Sequence, residues 1–271
     1  AFDLSRDGRS IVFDLLGQLW LVPARGGSAR PITDAVRDTA EDLDPSFSPD
    51  GRRVVFRAER KGRTGLWLLN IGSGGPRQLT QLPHPDGYDG DAAWSPDGRV
   101  IGFVHIVPTG SRPRSAIMLL DVDAGTKREL SITGIPNGIL NSPVWVSGGK
   151  HIAFVTRNSP SGGQIWLVPA TGGQATAITK VSAQASAPSF SPDGRLIAYF
   201  APDSNGRLQI WVQSIRESAA VGPPIKLTSH NDDTPTRTSM SPPPCSSAAT
   251  SSSSPACPAS MASARRRRTT E

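Results

Sequence analysis

Hydrophobic residues recur along this chain in short clusters that are separated by turn-forming residues. The first cluster of each unit is a triplet that ends in an aromatic residue: Ile11-Val12-Phe13, Val54-Val55-Phe56, Ile101-Gly102-Phe103, Ile152-Ala153-Phe154 and Ile197-Ala198-Tyr199. The second cluster has a central tryptophan or methionine: Leu19-Trp20-Leu21, Leu66-Trp67-Leu68, Ile117-Met118-Leu119, Ile165-Trp166-Leu167 and Ile210-Trp211-Val212. Clusters of this length and composition predict β-strands, and no window shows the apolar period of a helix.

A tight turn precedes each triplet and repeats with nearly the same residues. Three copies are complete: Ser48-Pro49-Asp50-Gly51-Arg52, Ser95-Pro96-Asp97-Gly98-Arg99 and Ser191-Pro192-Asp193-Gly194-Arg195. Residues 5–9 and 146–150 are degenerate copies, so the final glycine falls at positions 8, 51, 98, 149 and 194. Proline presets φ in such a turn, aspartate tolerates the third position and glycine accepts a positive φ at the exit. The complete copies therefore predict structural hairpin turns.

Each repeat predicts a sheet of four strands with both faces covered. An aromatic residue precedes four of the turns, and a segment similar to Leu-Thr closes most units. The middle residue of the triplet is small in three copies, as expected where a neighbouring sheet approaches closely. Four-stranded antiparallel units that cover one another and recur every 43 to 51 residues are typical of propeller blades. We predict an all-β β-propeller with blades at about residues 1–33, 44–80, 91–130, 142–179 and 187–228.

The chain changes character after Thr228. Residues 229–271 contain no Leu, Ile, Val, Phe, Tyr or Trp, and they hold both cysteines of the protein. Burial in such a segment cannot offset the entropy lost on ordering, so we predict a disordered tail rich in Ser, Pro, Ala and Arg. Ser239-Met240-Ser241-Pro242 repeats the pattern that opens a blade, and the pattern then stops. We interpret this as a sixth blade that is lost to a shifted reading frame or a truncated gene at about residue 242.

The turn, the triplet, the Ile-Trp-Leu-Val strand and the closing Leu-Thr resemble the TolB-type, WD-like β-propeller repeat over residues 1–228. Similar repeats occur in tricorn-like and prolyl-oligopeptidase-like peptidases, and the opening stretch is most similar to propellers that precede metal-dependent amidohydrolase domains. The resemblance implies a ring of six to eight blades, of which five are recognisable here. We therefore expect an incomplete ring with exposed edges at the first and fifth blades. The resemblance also implies a periplasmic or secreted location.

Loop lengths indicate which end of the predicted propeller binds a partner. The turn before each triplet keeps a constant length, whereas the loop after the triplet differs in length between blades. Such variation falls where a scaffold changes its contacts. The candidate binding residues are Arg57, Arg60, Lys61, Arg63, Arg112, Arg114, Arg157 and Arg207, with Asp44 and Asp91 on the crossings between blades. One interpretation is that these charges keep the surface soluble and pair with one another. The other is a docking surface for a polypeptide or a neighbouring domain, graded in charge from acidic crossings near the channel to basic loops further out.

Catalytic and metal-binding patterns are missing from the sequence. It contains no Gly-x-Ser-x-Gly, His-x-His or His-Glu-x-x-His motif, so it encodes neither a serine hydrolase elbow nor a zincin helix. His105 and His151 fall in or beside predicted strands, where we expect structural roles. Asp86, Asp89 and Asp91 are a candidate calcium site, although their order does not match an EF-hand loop. We expect no catalytic residue and no cofactor.

These features favour a non-catalytic propeller scaffold that binds a protein partner or an adjoining domain through its loops. The alternative is the substrate-gating propeller of a larger amidohydrolase or serine peptidase whose catalytic domain lies outside this sequence. The net charge of +6 comes partly from the run Arg265–Arg268 in the tail, so we expect no nucleic-acid partner. No apolar run reaches the length of a membrane-spanning helix.

Overall fold

The repeated units fold as five sheets, each of four antiparallel strands whose order in the sheet follows the chain. The computed structural model describes residues 1–34, 40–60, 63–82, 87–109, 113–157, 163–179, 185–216 and 219–228. The first two blades consist of β1 (Phe2–Leu4), β2 (Ser10–Leu15), β3 (Gln18–Pro23), β4 (Arg30–Pro31), β5 (Ala40–Phe47), β6 (Arg53–Arg60), β7 (Arg63–Asn70) and β8 (Arg77–Gln78). The predicted all-β propeller with five blades is confirmed.

The other three blades follow the same plan. They consist of β9 (Tyr88–Trp94), β10 (Val100–Val107), β11 (Arg114–Asp121) and β12 (Lys127–Glu129), then β14 (Ile139–Trp145), β15 (His151–Arg157), β16 (Gln164–Pro169) and β18 (Thr176–Ala177), and finally β19 (Ser186–Phe190), β20 (Leu196–Pro202), β21 (Leu208–Arg216) and β22 (Ala219–Lys226). Between the third and fourth blades, β13 (Ile132–Thr133) pairs in parallel with β17 (Gly173–Gln174). The predicted tail, residues 229–271, lies outside the described residues.

The Ser-Pro-Asp-Gly turns are held by hydrogen bonds within the turn itself. The Ser48 hydroxyl donates to Asp50 Oδ1 at 2.5 Å and accepts the Arg53 N–H at 2.9 Å. Asp50 Oδ1 also accepts the Arg52 N–H at 3.1 Å, and the Gly51 N–H donates to the Ser48 carbonyl at 2.8 Å. The same bonds recur around Asp7, Asp97 and Asp193. The serine, aspartate and glycine of the motif therefore each have a hydrogen-bond partner within the turn, which explains why these residues repeat.

Gly51→Ala tests the conformational requirement of this turn. Gly51 has a φ of 69°, and a Cβ at this position meets no atom within 4 Å. The substitution therefore costs only the left-handed backbone penalty, about 1–2 kcal/mol of unfolding free energy. Chemical denaturation measures this loss, and Gly75→Ala is the matched control because its φ is not positive and its Cβ position is also open. A loss as large for Gly75→Ala would contradict the assignment.

Apolar layers join each blade to the next one. Four clusters of buried side chains lie between successive blades, and their central members are Val12, Leu19 and Phe56; Val55, Leu66 and Phe103; Ile117, Leu119 and Phe154; and Val155, Ile165 and Tyr199. The small triplet residue sits where the next blade approaches, as predicted: a Cβ on Gly102 would lie 3.3 Å from Trp145 Nε1 and 3.5 Å from the Leu119 side chain. Both faces of the three middle blades are covered in this way.

The first and fifth blades each keep one face without such a layer among the described residues. The exposed large apolar side chains of the described chain lie on these two blades: Phe2, Leu4, Leu15 and Leu16 on the first, and Leu196, Phe200, Leu208, Val221, Ile225 and Leu227 on the fifth. The triplet aromatic residue shows the same asymmetry, since Phe13 is half-buried whereas Phe56 and Phe154 are inaccessible. The expected exposed edges are thus found at both ends of the series.

A β-bulge recurs in the inner strand of the last four blades. The residue three positions before the inner aromatic has a positive φ although it is not glycine: 53° at Asp44, 50° at Asp91, 49° at Ser142 and 48° at Ala187. The strand register shifts around each of these residues. The strands continue beyond the bulge towards the N-terminus, so they begin at residues 40, 88, 139 and 186, earlier than the predicted blade boundaries.

Candidate binding faces of the propeller

The five inner strands end around one cavity at the end of the propeller that carries the Ser-Pro-Asp-Gly turns, which we call the turn face. This cavity, the channel mouth, has a volume of about 360 Å³ and is lined by residues from all five blades. Its apolar lining includes one residue before each turn, namely Leu4, Phe47, Trp94, Trp145 and Phe190, together with the turn residues Pro49, Pro96 and Pro192. The predicted aromatic positions therefore converge, which the repeat alone did not indicate.

Hydrogen bonds between neighbouring inner strands fix the wall of the channel mouth. The Trp94 indole N–H donates to the Ser46 carbonyl and the Trp145 indole N–H donates to the Ala93 carbonyl, both at 3.1 Å. Asp3 Oδ2 accepts the Phe47 N–H at 2.7 Å, and burial raises the pKa of the Asp3 carboxyl. The Trp94 and Trp145 side chains are consequently held in place by the preceding blade.

Arginines of the turn face connect different blades through backbone carbonyls. Arg6 crosses from the first blade to the Pro96 carbonyl of the third at 3.4 Å. Arg53 reaches the Gly98 carbonyl at 3.0 Å, and its guanidinium lies 4.8 Å from the centre of the Trp94 ring. Arg6 is exposed beside the channel mouth, so it places a positive charge next to a concave surface that is lined by aromatic, proline and serine residues.

The turn aspartates make the stability of the fold depend on pH. The Ser48, Ser95 and Ser191 hydroxyls donate to Asp50, Asp97 and Asp193, and these bonds hold the pKa of each carboxyl below its ordinary value of 3.8. A carboxyl whose pKa is lower in the folded state stabilises the fold when ionised. That contribution is present above the unfolded pKa and is lost as the pH falls through the folded pKa.

We therefore expect the melting temperature to fall as the pH is lowered from about 5 to about 2. The triple variant Ser48→Ala/Ser95→Ala/Ser191→Ala removes the hydroxyl donors and should show a smaller decline over this range, although it starts from a lower melting temperature. Differential scanning calorimetry at a series of pH values measures both slopes. Parallel slopes would show that the turn carboxyls do not titrate with folding.

At the opposite end, the loop face, two of the predicted arginines are engaged inside the propeller. Arg60 forms a bidentate ion pair with Asp42, with distances of 3.1 and 2.6 Å, and the two side chains are only 5% and 0% exposed. Arg57 lies 3.4 Å from Asp44 and 5.5 Å from the centre of the Tyr88 ring. Both arginines therefore support the inner strands, and Arg60 is inaccessible to a partner.

The other predicted basic residues are distributed more widely. Arg114 is exposed and donates to both carboxylate oxygens of Glu129, at 2.6 and 2.7 Å. Arg157 and Arg207 are exposed at the ends of their strands or in the adjoining turn. Lys61 and Arg112 lie outside the described residues, as does the side chain of Arg63. Within the described part of the loop face, Arg114, Arg157 and Arg207 are thus the predicted cations that reach solvent.

The candidate calcium ligands have protein partners. Asp89 is buried and its Oδ1 lies 2.6 Å from His105 Nδ1. Asp91 accepts the Tyr88 hydroxyl at 3.0 Å and the Ser142 N–H at 2.8 Å; burial and this carboxylate raise the pKa of Tyr88, so its hydroxyl remains a donor. Asp86 lies outside the described residues. In the part of the chain that the structure describes, no three such groups are placed to hold a metal ion.

The two histidines for which structural roles are expected lie in different surroundings. His105 pairs with Asp89 within one sheet, consistent with the structural role expected for it. His151 lines a second cavity of about 740 Å³ between the fourth and fifth blades, beside Arg195 and Leu196. No described helix is long and apolar enough to span a membrane.

Solved structures share this fold at low sequence identity. TolB from Agrobacterium tumefaciens has a TM-score of 0.67 and 22% identity, over 84% of this chain and 79% of that one. TolB from Acinetobacter baumannii has a TM-score of 0.62 and 19% identity, over 84% of this chain and 51% of that one. A puromycin-hydrolyzing peptidase from Mycobacterium tuberculosis has a TM-score of 0.56 and 21% identity, over 84% of this chain and 36% of that one.

Sequence comparison identifies the family. No curated protein matches the chain, but residues 92–253 match the sequence family described as the TolB beta propeller domain. This match spans more than half of the chain and includes the third, fourth and fifth blades. It agrees with the repeated turn, the triplet and the propeller architecture, and the chain therefore belongs to the TolB β-propeller family.

Proposed function

We propose that this chain is a non-catalytic propeller that binds a polypeptide segment at its channel mouth. The observation that carries the proposal is the concave, aromatic- and proline-lined cavity to which all five inner strands contribute. A concave apolar surface with a few polar groups at its rim is the usual form of a ligand site. The sequence motifs of hydrolases are missing from this chain, which favours binding over catalysis.

The chemistry of the channel mouth specifies the kind of segment that fits. A cavity of about 360 Å³ accepts one or two apolar side chains, and large aromatic or aliphatic anchors dominate binding in such pockets. Arg6 lies at the rim and can donate to a carbonyl or a carboxylate of the bound segment, as it does to Pro96. We therefore propose an extended segment with an apolar anchor and an acceptor group next to it.

Peptide display on the full chain tests this function. Peptides selected against the wild-type protein should carry an apolar anchor, and Leu4→Glu should weaken their binding at least tenfold, because a charge would enter the apolar lining; about 1.4 kcal/mol is sufficient for this effect. Isothermal titration calorimetry measures the affinity. The matched control is Arg157→Ser/Arg207→Ser on the loop face, which should leave the affinity unchanged.

Two outcomes would contradict the channel-mouth site. If Leu4→Glu binds the selected peptides as well as wild type does, the cavity is not used. If instead the Arg157→Ser/Arg207→Ser variant loses affinity and its binding becomes less sensitive to salt, the graded loop face predicted from the sequence is the binding surface. A circular dichroism melt of Leu4→Glu ensures that the variant is folded.

The second candidate function is the propeller portion of a larger hydrolase. It is supported by the likeness to the M. tuberculosis peptidase, of which this chain covers 36%. Extending the coding sequence in both directions tests this candidate: a Gly-x-Ser-x-Gly or His-x-His motif beyond the propeller would favour it, and a stop after one more blade would favour the binding protein. A periplasmic or secreted location accompanies either proposal, and cell fractionation tests it.

A further inference from the structure

A further cavity of the turn face opens between the third and fourth blades. We call it the open groove; its volume is about 760 Å³, and its lining includes Asp97, Val100, Leu119, Trp145 and Gly149. Pro96, Trp145 and Gly148 line both this groove and the channel mouth. Residues of the outer strand β12 line its other end. The open groove is therefore continuous with the proposed polypeptide site and runs outwards from it between two blades.

The equivalent place between the second and third blades is occupied by an arginine of the protein itself. The Arg53 guanidinium lies over the Trp94 ring, 4.8 Å from its centre, and donates to the Gly98 carbonyl at 3.0 Å. Trp94 is only 7% exposed. The turn face thus already contains one complete binding arrangement for a guanidinium, with an indole ring and a turn carbonyl as its partners.

The open groove has the equivalent indole but not the arginine. Val100 is the first residue of β10, as Arg53 is the first residue of β6, and its side chain is too short to cross to the next blade. Trp145 donates its indole N–H to the preceding blade in the same way as Trp94 does. Trp145 is half-buried, and no described arginine or lysine lies over its ring. One face of this indole is therefore available from the groove.

A hydrogen-bond acceptor and a counter-charge accompany the indole. Gly149 and Gly98 leave their turns with φ of 70° and 71°, and each N–H donates at 2.9 Å to the carbonyl three residues earlier. The Gly149 carbonyl is thus the counterpart of the acceptor that Arg53 uses. The hydroxyl of the turn serine lowers the pKa of Asp50, and the charge of Arg53 lowers it further. Asp97 is the equivalent carboxylate of the third blade, and it lines the open groove.

The cations of the open groove lie at its outer end, on β12. Arg128 donates to a carbonyl of the following blade at 3.0 Å, as Arg77 does at 3.2 Å in the second blade. Because Arg77 and Arg53 reach the same neighbouring blade together, Arg128 leaves room for a second guanidinium further in. Lys127 and Asp121 add one charge of each sign to the lining, so the groove keeps a carboxylate for an incoming cation.

We propose that the open groove binds an arginine side chain of the polypeptide segment that the channel mouth holds. The guanidinium lies over Trp145, donates to the Gly149 carbonyl and pairs with Asp97, in the manner of Arg53 in the preceding groove. This inference rests on the proposed function, because the arginine belongs to the bound segment close to its apolar anchor. The groove can nevertheless be tested without that segment.

A titration with Nα-acetyl-arginine amide, which has no apolar anchor, tests the groove alone. In ¹H–¹⁵N NMR spectra of the full chain, the Trp145 indole resonance should shift saturably, whereas the Trp94 resonance should not, because Arg53 already covers that ring. The uncharged isostere Nα-acetyl-citrulline amide should cause about a tenth of the shift or less at equal concentration. Trp145→Phe and Trp94→Phe assign the two resonances. An unmoved Trp145 resonance, or equal shifts with both compounds, would overturn the inference.

Two substitutions should exchange the properties of the two grooves. Val100→Arg should fill the open groove from within and abolish the response of Trp145. Arg53→Val should uncover Trp94, so that its indole now responds to Nα-acetyl-arginine amide. Thermal melts confirm that both variants are folded. A Trp145 response that survives Val100→Arg would also overturn the inference, because the compound would then bind elsewhere.

The groove and the channel mouth can fail separately. Replacing the arginine of a selected peptide by citrulline should weaken its binding to the wild-type protein about tenfold, and should not change its binding to Val100→Arg. Selected peptides without an arginine near the apolar anchor would overturn the assignment to arginine. Leu4→Glu should leave the Trp145 response intact, because Leu4 lines only the channel mouth. A Trp145 response combined with unchanged peptide affinity in Leu4→Glu would reject the channel mouth and retain the groove.

Discussion

Asp42→Asn should lower the free energy of unfolding by about 3–5 kcal/mol, the largest loss expected from a single charge-removing substitution in this protein. Asp42 and Arg60 form a bidentate pair with both side chains inside the propeller. Removing the carboxylate charge deprives the buried Arg60 guanidinium of its bidentate, charge-assisted bonds to Asp42. Urea denaturation followed by tryptophan fluorescence measures the loss.

Two further variants separate the effect of burying the charges from the effect of the ion pair itself. Asp44→Asn is the matched control, because the Asp44–Arg57 pair is partly exposed and asparagine tolerates the positive φ at this position; its cost should be within about 1 kcal/mol. The double variant Asp42→Leu/Arg60→Met removes both charges and should recover most of the stability. Equal losses for Asp42→Asn and Asp44→Asn would contradict the structural role of the buried pair.

Phe154→Ala should lower the free energy of unfolding by about 3–5 kcal/mol, since it removes an inaccessible ring from the layer between the third and fourth blades. The same triplet position in the first blade is Phe13, which is only half-buried. Phe13→Ala should cost less than half as much. Guanidinium denaturation of both variants gives the comparison on one scale.

The comparison between Phe154 and Phe13 shows whether the open face of the first blade is exposed to solvent. Both residues are the third member of the same triplet and stand opposite a tryptophan, Trp166 or Trp20, in the adjacent strand. Their difference in cost therefore reflects only whether a preceding blade covers the ring. Equal losses would mean that the exposed face of the first blade is covered in solution.

The sequence was sufficient to predict the blades because each blade is specified by local interactions. Ser48, Asp50 and Gly51 satisfy one another within a single turn, so the motif can be recognised without knowledge of the rest of the fold. The triplet alternates between two covered faces, which predicted a close approach at Gly102. The strand order of each sheet then follows from consecutive hairpins.

The remaining features depend on contacts between distant residues. The bulge at Asp44 and Asp91 places non-glycine residues at positive φ, and only their constant distance from Phe47 and Trp94 could have indicated it. Arg60 appeared in the sequence as a loop cation, but its pairing with Asp42 required the register of β5 with β6. The channel mouth likewise required the placement of all five inner strands.

The self-contained turn has a consequence for how the chain acquires its structure. The hydrogen bonds that close the turn within Ser48–Arg53 join residues no more than five positions apart. Loop closure over such short separations is fast and entropically inexpensive. Each hairpin can therefore form as soon as its own residues leave the ribosome, so the hairpins form in the order of the chain. Packing of successive sheets against one another is then the slow step.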